Sequence, residues 1–409
     1  MSRRVVITGM GGISALGHDW QTIKSNLLAR KNCVIKMEEW DKYPELNTRL
    51  AAPVTDFEVP SHYSRKKIRS MGRVSLMATR ASELALEDAG LLANPILTSG
   101  ETGVAYGSST GSTDPIIGFG EMLKSGSMSG LTATSYIRMM AHTTAVNIGV
   151  FFGLKGRIHT TSSACTSASQ GIGYAYEAIK YGQQTVMLAG GGEELCPTEA
   201  VVFDTLFATS TLNYAPKTTP KPFDANRDGL VIGEGACTLI LEELEHAKAR
   251  GAHIYAELVG FGTNSDGLHV TQPNAETMEV AIRLALKDAH LTADKIGYVN
   301  AHGTATDRGD VAETSATHAV FGSSMPISSL KSYTGHTLGA CGSLEAWVTI
   351  QMMNEQWFAP TLNLTDVDPE CASLDYIRDD VRYLDTHYVM SNNFAFGGIN
   401  TSLIFKRWQ

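Results

Sequence analysis

Short apolar runs that end in glycine recur along this chain, and helical periodicity follows them. Arg4-Val-Val-Ile-Thr-Gly-Met-Gly-Gly-Ile-Ser, Thr185-Val-Met-Leu-Ala-Gly-Gly-Gly and Ile296-Gly-Tyr-Val-Asn read as buried strands running into tight turns. Apolar residues three or four apart mark helices in Val74–Leu86, Leu244–Ala249, Thr277–Ala289, Val311–Val320 and Leu344–Glu355. Such alternation predicts an α/β chain with buried sheets. The pattern restarts near Ala256, which divides the chain into two similar halves, 1–255 and 256–409. The glycine cluster after Ile7 lacks the lysine and hydroxyl residue of a phosphate loop, and reads as strand plus turn.

At 409 residues, with 43% hydrophobic and 18% charged residues, the chain can bury a substantial core. Its net charge of −9 argues against general binding of nucleic acid or anionic membrane. No apolar run approaches the roughly 18 residues that a membrane span needs, and the run Val5-Val-Ile is too short for a signal peptide. The six cysteines are scattered, without C-x-x-C or metal-type spacing, so the expected setting is reducing and cytoplasmic.

One cysteine stands apart. Ser162-Ser-Ala-Cys165-Thr-Ser lies between a predicted short buried strand, Gly156–Ser163, and a helix marked by Ala168, Ile172, Ala175 and Ile179. At a helix N-terminus, unpaired N–H groups and the dipole would stabilise a thiolate and lower its pKa. A buried structural cysteine fits the same segment.

His302 and His336 both end strand-like runs, flanked by glycine and threonine, where α/β folds collect catalytic groups. Lys331 precedes the second histidine by five residues. The tail Met390-Ser-Asn-Asn-Phe-Ala-Phe-Gly-Gly-Ile-Asn forms a glycine-rich loop that can swing and offer N–H groups to an oxyanion. A helix capped by Ser64 would carry Arg65, Lys66, Lys67, Arg69 and Arg73 in its first turns, a positive patch on an acidic protein and a docking surface for an acidic partner. Residues 99–150 give few helix or strand signals before Ala141; there Thr110, Met139 and Met140 either line an apolar pocket or fill ordinary core. The Asp/Asn spacing after Phe223 resembles a calcium loop without its final glutamate, and that reading is rejected.

Ser163-Ala-Cys165-Thr, Asn300-Ala-His302-Gly-Thr, Lys331-Ser-Tyr-Thr-Gly-His336 and Asn393-Phe-Ala-Phe-Gly-Gly occur in an order that resembles the elongating 3-oxoacyl-[acyl-carrier-protein] synthases of the thiolase superfamily. The resemblance runs from Val5 to Lys406. It implies a thiolase-like fold of two similar α/β halves in a layered α-β-α-β-α core. It also implies a decarboxylative condensation that extends an acyl chain held on Cys165 by two carbons from a malonyl carrier. By resemblance, His302 and His336 hydrogen-bond the malonyl thioester oxygen, and Lys331 orients the His302 region. The N–H groups of Cys165 and Phe396 form a second oxyanion hole, and Phe394 and Phe396 gate the acyl channel. Thr304 and Thr306 bind the pantetheine arm, Glu313 and Glu345 support the network, and Lys66 and Arg69 meet the acyl carrier protein. No metal or other cofactor is required, although a monovalent cation near Asn300, Glu345 and Asn392 is allowed. A homodimer is expected, with a heterodimer with a related subunit left open.

Departures from the family pattern bear on substrate range. Ala395 replaces a hinge glycine and Ile399 a threonine, Ala305-Thr-Asp-Arg replaces Ser-Thr-Pro, and Tyr333 and Cys341 replace Met and Ala. They point to a specialised polyene or secondary-metabolite pathway as much as to housekeeping fatty-acid synthesis. The rival reading is a chain-length-factor-like partner subunit, but such subunits typically lack the cysteine.

Overall fold

A computed structural model describes residues 2–409. Eleven strands form one sheet: β1 (Val5–Ser14), β2 (Thr102–Gly107), β3 (Ile158–Thr160), β4 (Val186–Glu193), β5 (Gly235–Glu243), β6 (Ala256–Ser265), β7 (Tyr298–Asn300), β8 (Pro326–Ser328), β9 (Asp375–Tyr376), β10 (Tyr388–Ala395) and β11 (Ile399–Arg407). Their spatial order is β9-β8-β7-β10-β11-β6-β1-β5-β4-β2-β3.

The same arrangement occurs twice. In β3-β2-β4-β5-β1 the first two pairings are parallel and the last two antiparallel. The series β8-β7-β10-β11-β6 repeats those directions. An antiparallel pairing of Val5–Ile7 with Ala256–Leu258 joins the two series.

The main helices are α1 (Arg65–Ile68), α2 (Arg73–Asp88), α3 (Asp114–Ser125), α4 (Ala133–Met139), α5 (Thr143–Phe152), α6 (Ser167–Lys180), α7 (Pro197–Asp204), α8 (Ala275–Asp288), α9 (Asp307–Phe321) and α10 (Cys341–Glu355). Helices α6 and α10 form the inner layer and contact strands of both series. The helical spacing of Ala168, Ile172, Ala175 and Ile179 holds, and all four are buried. α10 is buried almost all round, from Cys341 to Met353, as a helix between two sheets must be. Helix α2 covers the outer face of β1 and α8 that of β6, completing the α-β-α-β-α layers. Both contacts need glycine. A Cβ on Gly9 would lie 2.3 Å from the Ala85 oxygen, and one on Gly260 would lie 2.4 Å from the Ala285 oxygen.

Three local expectations fail. The positive helix is two helices: α1 ends at Ile68, Gly72 precedes α2, and Ser64 makes no side-chain cap. Arg73 leaves the positive patch to pair with the buried Glu234. Strand β3 is the outer edge of its series, with Ile158 44% exposed, so it is not buried. Residues 99–150 hold one strand and three helices, whose glycines and small polar residues masked their periodicity. Thr110, Met139 and Met140 are half-buried.

Candidate active site

The nucleophile turn, the two histidine loops and the aromatic tail loop meet at one buried cluster. Cys165 lies in a short turn, Ala164–Thr166, immediately before α6. Ala164 adopts φ 50°, a left-handed conformation that costs a non-glycine residue roughly 1 kcal/mol or more. This bend carries the chain from the sheet edge into the inner helix and leaves the sulfur at the junction.

The Cys165 Sγ lies 3.0 Å from His336 Nε2. The rings of His336 and His302 meet edge to face, with centroids 5.1 Å apart. Ligand atoms of Cys165, His302 and His336 all lie within 4.8 Å of one another. A thiophilic divalent ion could take such a donor set.

Backbone and lysine contacts fix both imidazole tautomers. Leu338, itself at φ 45°, points its N–H at His336 Nδ1 from 3.2 Å. Lys331 Nζ lies 3.2 Å from His302 Nδ1 and 2.5 Å from Glu345 Oε1. With both Nδ1 atoms accepting, each histidine carries its proton on Nε2. Asn393 Nδ2 donates to Glu345 Oε2 at 2.7 Å, and Glu313 accepts from the N–H groups of His302 and Gly303 at 2.7 Å each.

Burial dominates the electrostatics. Burial, then the Lys331 charge, holds both His302 and His336 well below the usual imidazole range, so both are neutral. Burial opposes charge on Lys331, yet adjacent Glu345 keeps its pKa above the usual lysine range. Burial pushes Glu313 up to about 8. The Cys165 thiol is also pushed up by burial, to about 11, against the pull of Lys331 and of the Phe396 and Cys165 N–H groups. The expected depressed pKa is therefore corrected. The helix N-terminus is present, but desolvation outweighs it, and the resting group is a thiol.

A cavity of about 580 Å³ opens onto the cluster. Cys165, His302, His336, Glu313, Thr304, Thr306, Phe394 and Phe396 all line it, whereas Lys66 and Arg69 lie away from it on the surface, exposed. Thr304 and Thr306 pair through their hydroxyls at 2.8 Å. Ala395 ends β10, and Gly397 and Gly398, at φ 88° and 70°, supply the turn instead.

The sequence reading missed several supporting groups. The Cys341 thiol donates to the Cys165 carbonyl at 3.2 Å. Glu193 accepts from the N–H of Gly339 and from Ser108. Arg227, side chain 3% exposed, ties the Thr306–Asp307 backbone to Asp368. Asn393 stood inside a quoted motif and Cys341 was named only as a departure from the family pattern; Glu193 and Arg227 carry no short spacing that could have exposed them.

Residues 2–247 match the family described as "Beta-ketoacyl synthase, N-terminal domain", and residues 255–365 match "Beta-ketoacyl synthase, C-terminal domain". The chain is 39% identical to a 3-oxoacyl-[acyl-carrier-protein] synthase 2 of Vibrio harveyi, covering 99% of each. A crystal structure of a beta-ketoacyl synthase from Burkholderia phymatum superimposes with a TM-score of 0.99 at 65% identity, covering 100% of both chains. A ketosynthase solved with its type II PKS acyl-carrier protein aligns with a TM-score of 0.88 at 30% identity, again over 100% of each.

Proposed function

Since this chain belongs to the beta-ketoacyl synthase family, we propose that its buried Cys-His-His cluster performs the condensation of an acyl group with a malonyl unit. The protein is a 3-oxoacyl-[acyl-carrier-protein] synthase, an acyltransferase that elongates acyl chains with malonyl-acyl carrier protein. The carrying observation is the 3.0 Å contact between Cys165 Sγ and His336 Nε2, with His302 facing the same space. A chain-length-factor-like role would leave this complete set without purpose.

The sulfur of Cys165 attacks the thioester of an acyl carrier, and the departing carrier sulfur takes up the thiol proton. Malonyl carrier then enters, with its arm along Thr304 and Thr306. The Nε2–H groups of His302 and His336 converge on its thioester oxygen. As carbon dioxide leaves, they stabilise the negative charge that develops there. The carbanion attacks the Cys165 thioester. The N–H groups of Cys165 and Phe396, which both point toward the sulfur, hold the resulting oxyanion. That attack forms the new carbon–carbon bond; collapse of the intermediate breaks the carbon–sulfur bond, the expelled Cys165 sulfur regains a proton from water, and a chain two carbons longer remains on the carrier.

Docking of an acidic carrier is assigned to exposed Lys66 and Arg69. A homodimer is supported by the exposed edge strand β3 and by Ile117 and Leu123 of α3, 71% and 83% exposed. A heterodimer would use the same face. No described helix is long and apolar enough to cross a membrane, and the scattered free cysteines fit a cytoplasmic setting. The substitutions at Ala395 and Asp307 fit a specialised polyene-type pathway as much as fatty-acid synthesis. Asn300 and Asn393 each contact Glu345 and leave their amide oxygens buried and unpaired. These fit a monovalent cation, with Asn300, Asn393 and Glu345 as holders; Asn392 instead accepts from Ser402. Bound there, a cation would steady the Lys331 network.

Intact-mass analysis with a panel of acyl-carrier thioesters, then malonyl carrier, tests the reading. An adduct on Cys165 that passes to a product longer by two carbons is expected. Normal acyl-enzyme formation and turnover by Cys165→Ser would overturn it.

A further inference from the structure

Helix α7 holds a carboxyl group that the condensation leaves idle. Glu199 is 4% exposed, and neither of its oxygens has a hydrogen-bond partner. The Cys196 N–H is near enough to favour its charge, while Glu193 and Glu194 lie close enough to repel. Those two acids are well served, Glu193 by Ser108 and the Gly339 N–H, and Glu194 by Ser112 and Thr113. Glu199 stands outside that network. Burial and the neighbouring carboxylates hold its pKa well above the usual range. It is therefore a neutral acid, with one O–H to donate and one oxygen to accept. Leaving a buried polar group unpaired is costly, so a chain that keeps one at such a place has left room for a partner.

Its position indicates which partner. Phe203 lies one turn further along the same helix face, lines the cavity and packs against Phe396 at 5.2 Å. Ala200 and Phe203 share an apolar cluster with Leu338, two residues past His336. Glu199 does not line the cavity; the Phe203–Phe396 contact stands at that end. A role for Glu199 here rests on the proposed condensation. When malonyl carrier enters, its arm fills the mouth beside Thr304 and Thr306. The acyl chain on Cys165 must occupy other space, and movement of Phe396 on its glycine turn opens the path toward α7.

We propose that Glu199 is a specificity-determining residue, which hydrogen-bonds an acyl chain bearing a hydroxyl or carbonyl group in preference to an unsubstituted alkyl chain of the same length. An alkyl chain leaves the acid unpaired, whereas a carbonyl oxygen at the right carbon accepts from its O–H and a hydroxyl there can also donate to its other oxygen.

The test measures Cys165 acylation by intact mass, using pantetheine thioesters of matched alkanoyl and hydroxyalkanoyl chains with the hydroxyl moved along the chain. The wild-type protein should acylate with one hydroxylated isomer about tenfold faster than with its alkanoyl match. Glu199→Leu should lower the rate for that isomer and raise the alkanoyl rate. Glu199→Gln, which keeps a donor and an acceptor, should retain the preference. No preferred isomer in the wild type overturns the inference, as does a Glu199→Leu protein that scales both rates alike. If the leucine variant fails to fold, loss of the preference in Glu199→Gln overturns it instead. Failure of every chain to acylate the wild type would overturn the condensing reading, and this inference with it.

Discussion

Replacing His336 with leucine removes the donor that faces the Cys165 sulfur at 3.0 Å, with a side chain of similar bulk. A hydrogen bond to a charged partner is worth about 1.5–3 kcal/mol, so its loss should raise the thiol pKa by roughly one to two units. The wild-type value already stands at about 11 through burial, so the thiolate is a minor species at neutral pH in both proteins. The less acidic sulfur is also more nucleophilic, with a Brønsted coefficient of about 0.4–0.5, which offsets nearly half of the loss on a logarithmic scale. The net expectation is alkylation about three- to tenfold slower at any pH below the thiol pKa. The assay follows iodoacetamide labelling of Cys165 by mass from about pH 7 to about pH 10. Wild-type labelling should climb through that whole range, close to tenfold per pH unit. A plateau below about pH 8 would show that the helix N-terminus outweighs desolvation and would refute the reasoning. Equal or faster labelling of the leucine variant would refute the role given to the histidine.

Lys66→Glu combined with Arg69→Glu should raise KM for carrier-borne substrate about tenfold at low salt and flatten its salt dependence; an equal rise with free pantetheine thioesters would assign the loss to misfolding. Gly262→Val would place a Cβ 2.1 Å from the Ala281 oxygen and should destabilise the fold by about 3 kcal/mol, read from denaturant midpoints; an unchanged midpoint would mean that α8 moves freely on β6. Glu313, ordinarily titrating near 4.5, is pushed by burial up to about 8 in the fold. The folded state then binds the proton more tightly than the unfolded chain, so stability is lost as pH rises from about 4.5 to about 8. Relative to Glu313→Gln, the wild type should lose a few kcal/mol across that window, and a difference that ignores pH would place the carboxyl in a wetter site.

The reacting residues were legible because each sits where a strand-like run ends in a turn. His302 and His336 stand beside such glycines, Cys165 among small hydroxyl residues directly ahead of a helical pattern, and Lys331 and Asn393 lie within the quoted motifs. The thiol pKa was misjudged because sequence shows a helix start but not the solvent that Leu338, Phe396 and the two imidazoles exclude. Strand β3 looked buried because Ile158 is apolar; edge and centre strands carry the same residue types until their neighbours are known. Helices α3 and α4 were invisible among the glycines, serines and threonines of residues 111–135, and Arg73 looked like one more surface charge until Glu234 appeared opposite it. Glu199 belongs to no motif. Only the absence of a partner marks it, and absence cannot be read from spacing.

The strand arrangement occurs twice, yet the chemistry is divided between the copies: the first supplies the sulfur, and the second supplies both imidazoles and the lysine. Neither copy alone could react. Cys165 therefore serves as an internal gauge of assembly, since its sulfur meets His336 only when the two copies are seated together. During synthesis, the nucleophile emerges before its histidines, so the Cys-His-His set is complete only once the second copy, down to its last strands Tyr388–Ala395 and Ile399–Arg407, has taken its place.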